Sequence, residues 1–309
     1  MMTERRTELD GTAAAGLVLL CLLWGLQQAT IKIAMVGVSP VLQGGLRSLG
    51  AVLLLWAWSA ARGVRLFERD GTLGLGLMAG LLFGAEFLLI YWGLVYTTVS
   101  RSILFLYTAP FVVAIGAHLL IPGERMRAIQ AGGLLCAFAG VAVAFAEGLR
   151  LPTGRELMGD LMILAAAVLW AATTLLIKGT KLVKASPTKV LFYQLAVSAV
   201  MMPLGSLLLG ESGVTDLTPT VLACLAFQMV VVAFASYLAW FWLIANYPAG
   251  RLSAFTFLTP LFGVLSGALL LGERVSETLA LAMALVCVGI YLVNRKAPAA
   301  RVAVARTGS

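Results

Sequence analysis

The chain has 309 residues; 61% are hydrophobic before its 32 glycines are counted, and only 12% are charged. A soluble domain carries roughly 25% charged residues, so the composition excludes a soluble enzyme, a nucleic-acid-binding domain and a disordered protein. The net charge of +8 fits basic membrane loops. No nucleic acid is expected as a partner, and the lipid bilayer is the expected solvent.

A helix needs about 20 apolar residues to cross the ~30 Å hydrocarbon core. In chain order such runs fall at 13–35, 40–61, 73–96, 102–121, 128–146, 159–179, 188–209, 219–244, 252–271 and 277–294. Most breaks carry Pro, Gly or charge, as at Ser39-Pro40 and Pro122-Gly123-Glu124-Arg125. Arg5 and Arg6 before the first run imitate a signal peptide. The run is too long for one, lacks a small-residue cleavage site and precedes nine further spans, so it is read as helix one. The longest connection, 147–158, divides a first five-helix unit at 13–146 from a second at 159–294, with tails at 1–12 and 295–309. The expected fold class is an all-α integral membrane protein with ten transmembrane helices.

Ten spans put both termini on one side. Of the 22 Lys and Arg residues, sixteen fall in the loops and tails of the terminal side, among them Arg62, Arg65, Arg69, Lys181, Lys184 and Arg295. Five fall on the other side (Lys32, Arg101, Arg150, Arg155 and Arg274), and Arg47 lies within helix two. The positive-inside rule then places both termini in the cytoplasm.

The two halves repeat each other. Leu23-Trp24 and Ile31-Lys32 recur as Leu169-Trp170 and Ile177-Lys178, displaced by 146, and Ser39-Pro40 recurs as Ser186-Pro187, displaced by 147. Trp92, Arg101 and Pro110 match Trp242, Arg251 and Pro260 at a displacement of 150, and Gly123-Glu124-Arg125 matches Gly272-Glu273-Arg274 at 149. Each unit has five spans, an odd number, so the second enters the membrane upside down. Two inverted repeats are a hallmark of alternating-access transporters, with the substrate site near the midplane between them.

These residues resemble the drug/metabolite transporter superfamily, EamA type, across about 13–294. The resemblance rests on Trp24-Gly25, Arg47, Pro110, Gly123-Glu124 and their second-half partners; one departure is Gln194 where a second arginine would match Arg47. Within the superfamily the chain looks most like the YddG-like aromatic amino-acid exporters. The resemblance implies a multi-pass protein of the bacterial inner (plasma) membrane, exporting aromatic and other neutral amino acids. Its partners would be these small molecules and the lipid bilayer, with protons a candidate coupling ion and the monomer the expected state.

Helix one carries Trp24, Gln27, Gln28 and Lys32 on one face, and helix six carries Trp170, Thr173, Thr174 and Lys178 at the same spacing. Polar groups are costly against lipid, so these stripes face protein or a water-filled cavity. They line a substrate site or bond between helices; the two lysines read as snorkelling anchors. Glu86 sits mid-span in helix three, where an acidic group costs ~2.5–3.5 kcal/mol on insertion scales. It binds a substrate ammonium, carries a coupled proton, pairs with a distant basic group such as Arg47, or is a structural carboxyl. Arg47 reads as a structural ion pair or as a carboxylate clamp. Tyr107 and Trp240 lie deep enough to stack on a substrate, Tyr96 and Tyr247 fit an interfacial belt, and Gln228 is a further polar group at mid-depth. Pro110 and Pro260 break helices four and nine and are candidate hinges or static kinks.

Cys21, Cys136, Cys224 and Cys287 sit singly in apolar runs, and His118 is the only histidine, so neither a metal nor a disulfide framework is implied. No P-loop motif occurs, so no ATP and no other cofactor is expected; a gradient drives transport. Two rivals remain: a multidrug or quaternary-cation exporter, which Glu86 and the aromatics also suit, and a membrane-embedded transferase. The transferase needs a clustered catalytic centre, whereas the acidic residues here are scattered.

Overall fold

The computed structural model describes residues 9–93, 95–97, 99–146, 151–271 and 277–295. Helices account for the spans: α1 Gly11–Ala34, α2 Pro40–Ala61, α3 Leu73–Gly93, α4 Val99–Leu106, α5 Ala109–Leu120, α6 Ala128–Ala144 and α7 Gly154–Gly179. The second half continues with α8 Pro187–Leu208, α9 Pro219–Ala226, a π-helical segment Phe227–Ser236, α10 Tyr237–Asn246, α11 Ala249–Phe255, α12 Leu258–Leu271 and α13 Leu279–Asn294. Among the described residues, eight spans are long and apolar enough to cross a membrane. The shorter α6 and α13 complete the ten and pack along each other.

The boundaries follow local chemistry. Asp10 caps α1 by accepting from the Ala13 N–H at 2.8 Å, and Ser186 caps α8 by accepting from the Lys189 N–H at 3.2 Å. Glu211, from the connection after α8, caps α2. It accepts from the Val41 and Leu42 N–H groups at 3.0 and 3.1 Å, where the helix dipole favours a carboxylate. Helix α7 starts at Gly154, five residues before the expected 159, because Thr153 and Glu156 form a reciprocal capping box. Its first turn is polar, so hydropathy alone begins the span too late. The expected 147–158 linker is shorter accordingly, and its residues 147–150 lie outside the described residues, as do most of both tails and the Gly272-Glu273-Arg274 repeat partner.

Three spans are interrupted, two of them beside the prolines expected to break them. The fourth breaks at Tyr107-Thr108, three residues before Pro110, and the ninth breaks at Thr256-Phe257 before Pro260. Proline supplies no N–H to the preceding turn and its ring crowds that turn's carbonyl. In both breaks a threonine hydroxyl turns back onto the chain: Thr108 donates to the Phe105 carbonyl and Thr256 to the Ser253 carbonyl, each at 2.6 Å. The eighth span contains the π-helical segment, a rare form that recurs at functional sites.

The halves interdigitate, with matching helices of the two repeats in contact. Helix α2 packs on its repeat partner α8 and α6 on α13, while α1 packs on α12 and α7 on α3, α4 and α5. The hydroxyls of Ser48 and Ser198, 150 positions apart, meet at 3.0 Å where α2 crosses α8. Gly133 of α6 and Gly289 of α13 are so close that a methyl on either would strike the carbonyl of the other, the small-residue contact that membrane helices use. Burial is inverted relative to a soluble protein. Leu19, Leu53, Leu119, Leu204 and Leu208 face outward, while Gln43, Arg47, Ser48, Gln194, Ser198 and Gln228 are wholly buried.

Candidate functional site

A cavity of about 190 Å³ lies between the two halves. Helix α1 contributes Trp24 and Gln27; α3 contributes Phe83, Glu86, Phe87 and Tyr91; the α4–α5 break contributes Tyr107. The second half supplies Trp170, Thr173 and Thr174 from α7, Gln194 from α8, Tyr237 and Trp240 from α10, and Thr259 from α12. The expected stripes on helices one and six therefore face each other across one space. The structure brings together Trp24, Gln27, Glu86, Tyr107, Trp170, Thr173, Thr174 and Trp240; the Gln28 side chain lies outside the described residues.

The walls are aromatic and ordered edge to face. Trp24 meets Trp240 with ring centroids 5.3 Å apart at 78°, and Tyr107 meets Trp170 at 6.1 Å and 85°. The Trp24 indole N–H donates to the Ser236 hydroxyl at 2.9 Å, at the end of the π-helical segment. Ser236 is the residue 150 positions after Glu86. Thr173 and Thr174 donate to the Leu169 and Trp170 carbonyls of their own helix at 2.9 and 3.1 Å. Their hydroxyl lone pairs remain to accept from a ligand.

Glu86 is buried, with 6% of its surface exposed. Among the described residues its carboxylate makes no hydrogen bond and no ion pair within bonding distance. The guanidinium of Arg47 acts on it electrostatically. A buried carboxylate without a partner pays a desolvation cost that a cation or proton in the cavity would relieve.

Four expectations change. Arg47 has no carboxylate at ion-pair distance among the described residues. Its guanidinium instead lies 4.4 Å over the Phe87 ring and 5.7 Å from the Tyr237 ring, and donates to the Tyr237 hydroxyl at 3.4 Å. Gln228 stands apart from the cavity: its amide Nε2 donates to the side-chain Oε1 of Gln43 at 3.0 Å, pairing the π-helical segment with α2. Lys178 does not snorkel. It is buried, pairs with Glu124 at 3.2 Å, and donates to the backbone carbonyls of Ile244 and Tyr247. Tyr247 is no belt residue either; it is 2% exposed and its hydroxyl donates to Asp10 at 2.7 Å. In each case at least one partner comes from the other half, which local sequence does not reveal. Pro110 and Pro260 stand beside the helix breaks that put Tyr107 and Thr259 in the wall.

Sequence reasoning singled out neither Tyr237, Phe83 and Phe87 nor Thr259 as lining residues. Tyr237 was within reach, since it shares a face with Trp240 three residues on. Thr259 becomes visible only once the α11–α12 break is known.

Polar ties close the structure at both faces. On the face bearing the described chain ends, Glu124 pairs with Lys178 and accepts from the Ala249 N–H at 2.9 Å. On the far face Arg101 forks onto buried Asp160, its Nε 3.1 and 3.0 Å from the two carboxylate oxygens, and Thr97 donates to the same group at 2.6 Å. Each tie joins the first half to the second.

The model of the EamA-like transporter family matches the chain twice, at residues 12–146 and 157–295, one match per repeat. The chain is 27% identical over 295 residues to "Uncharacterized transporter YvbV" of Bacillus subtilis (strain 168), covering 93% of each protein. It is 26% identical to "Probable amino-acid metabolite efflux pump" of Escherichia coli (strain K12), covering 92% of this chain and 94% of that one. A solved crystal structure superposes with a TM-score of 0.78 at 20% identity, over 92% of this chain and 96% of the other, which shows a shared fold. With an inverted repeat, membrane-length helices and a family match across both halves, the chain belongs to the EamA-like transporter family of the drug/metabolite transporter superfamily.

Proposed function

We propose that this transporter exports amino acids, aromatic and other neutral ones, across the bacterial inner membrane by alternating access, with both termini in the cytoplasm. The observation that carries the reading is the buried carboxylate of Glu86, without a partner among the described residues, in a cavity walled by Trp24, Trp170, Trp240, Tyr107 and Tyr237. A substrate ammonium relieves that carboxylate and gains cation–π attraction from the rings. A planar or aliphatic side chain fills the apolar remainder. Similarity to proteins named as probable amino-acid metabolite efflux pumps supports the same class. Gln27 and the hydroxyls of Thr173 and Thr174 orient the substrate, and the repeats rock about bends at Pro110 and Pro260. The driving force is a substrate or ion gradient, with protons the candidate ion.

The same cavity also favours a second reading, because among the described residues no basic side chain is part of its wall. A quaternary or other organic cation would therefore also find a counter-ion and an aromatic cage. Replacing Glu86 by Gln tests the shared element. The Glu86→Gln protein, folded as judged by its thermal transition, is expected to lose at least about tenfold in transport rate, ~1.4 kcal/mol of stabilisation. Rates equal to wild type across a range of pH would remove Glu86 from the mechanism.

A further inference from the structure

Arg47 is one of the largest wholly buried side chains among the described residues, at 0% exposure, and it is poorly satisfied. A guanidinium carries five N–H donors. Among the described residues the one hydrogen bond of Arg47 is the 3.4 Å contact to the Tyr237 hydroxyl, and its Nε and Nη2 donate to nothing. The two rings it packs against, Phe87 and Tyr237, both stand in the cavity wall. Its repeat counterpart Gln194 is in that wall itself, and the Gln194 Oε1 also lacks a partner. The pseudo-equivalent positions of α2 and α8 thus hold polar heads that are incompletely satisfied among the described residues, Gln194 in the wall and Arg47 against two of its rings. Arg47 and Glu86 lie near enough to act on each other electrostatically, yet they form no ion pair. A cation and an anion kept in one neighbourhood without neutralising each other match the two charges of a zwitterion.

We propose that Arg47 is the carboxylate-binding residue of the substrate site, reached when the Phe87 and Tyr237 rings turn aside, so that Arg47 and Glu86 together select zwitterionic α-amino acids. The inference rests on the reading of Glu86 as the ammonium site. A bidentate guanidinium–carboxylate pair in this dry setting supplies both orientation and affinity. It also separates amino acids from the organic cations that the aromatic cage alone would accept, since these have nothing to offer Arg47.

The test compares matched substrates on purified protein in proteoliposomes: a labelled aromatic amino acid, its methyl ester and its decarboxylated amine. In wild type the amino acid is expected to show kcat/KM at least about tenfold above the ester and the amine, the factor that corresponds to ~1.4 kcal/mol. In Arg47→Met that advantage disappears while ester and amine transport is retained, and Arg47→Lys restores part of it. A purely structural arginine would instead lower all three substrates together, and that result overturns the proposal. Should Arg47→Met fail to fold, the wild-type series stands alone, and equal handling of amino acid, ester and amine overturns the proposal. If wild type moves none of the three, the amino-acid reading falls and this inference with it.

Discussion

Glu86 was legible in the sequence because a carboxylate inside Leu82-Phe83-Gly84-Ala85-Glu86-Phe87-Leu88 has no apolar explanation. Trp24 and Trp170 were legible through their repetition. Arg47, Lys178 and Tyr247 were placed by depth alone, and depth does not name a partner: their contacts lie 190, 54 and 237 positions away, at Tyr237, Glu124 and Asp10. Asp70 offers a residue-scale check outside the membrane spans. Its carboxylate accepts from the Thr72 hydroxyl at 2.6 Å and from Lys189 at 2.9 Å, which hold its pKa well below the usual carboxylate value of about 3.9. A depressed folded pKa means that the ionised group stabilises the fold above about pH 4, and that this contribution is lost as pH falls below it. The melting temperature of Asp70→Asn should therefore lie below wild type at neutral pH, with the gap narrowing as the medium is acidified past about pH 4. A gap that stays constant under acidification contradicts the assignment.

At the scale of elements, the apolar runs gave all ten spans, and the unbroken ones within a few residues. Composition could not reveal the breaks at Tyr107-Thr108 and Thr256-Phe257, because the residues on either side are as apolar as in any continuous helix. The prolines pointed to them, and the π-helical segment before Tyr237 left no comparable mark. If the breaks are bending points, Pro110→Ala and Pro260→Ala let the two pieces of each span join. Turnover is then expected to fall severalfold with the thermal transition unchanged or raised. Unaltered turnover in both variants would mark the breaks as static. The α6–α13 crossing is a rigid contact by contrast. Gly289→Leu must force the two helices apart, with a loss of about 1–3 kcal/mol of stability measurable as a lowered melting temperature.

For the molecule as a whole, the inverted repeat explains why one cavity draws on both halves, and why the ties at its two faces cross between them. Arg101–Asp160 on the far face and Lys178–Glu124 on the terminal face hold the same two bodies together at opposite ends. Alternating access requires such ties to loosen one face at a time. The repeat, the odd number of spans per unit and the aromatic–polar faces were all present in the sequence. How the halves interleave was not, since it depends on contacts between helices far apart along the chain. The central claim is that this cavity carries amino acids. The most direct measurement is uptake of a labelled amino-acid panel into proteoliposomes of the purified protein, with and without a pH gradient. Saturable uptake of aromatic and other neutral amino acids, lost in Glu86→Gln, is the predicted result. Absence of amino-acid uptake alongside clear movement of an organic cation would contradict it.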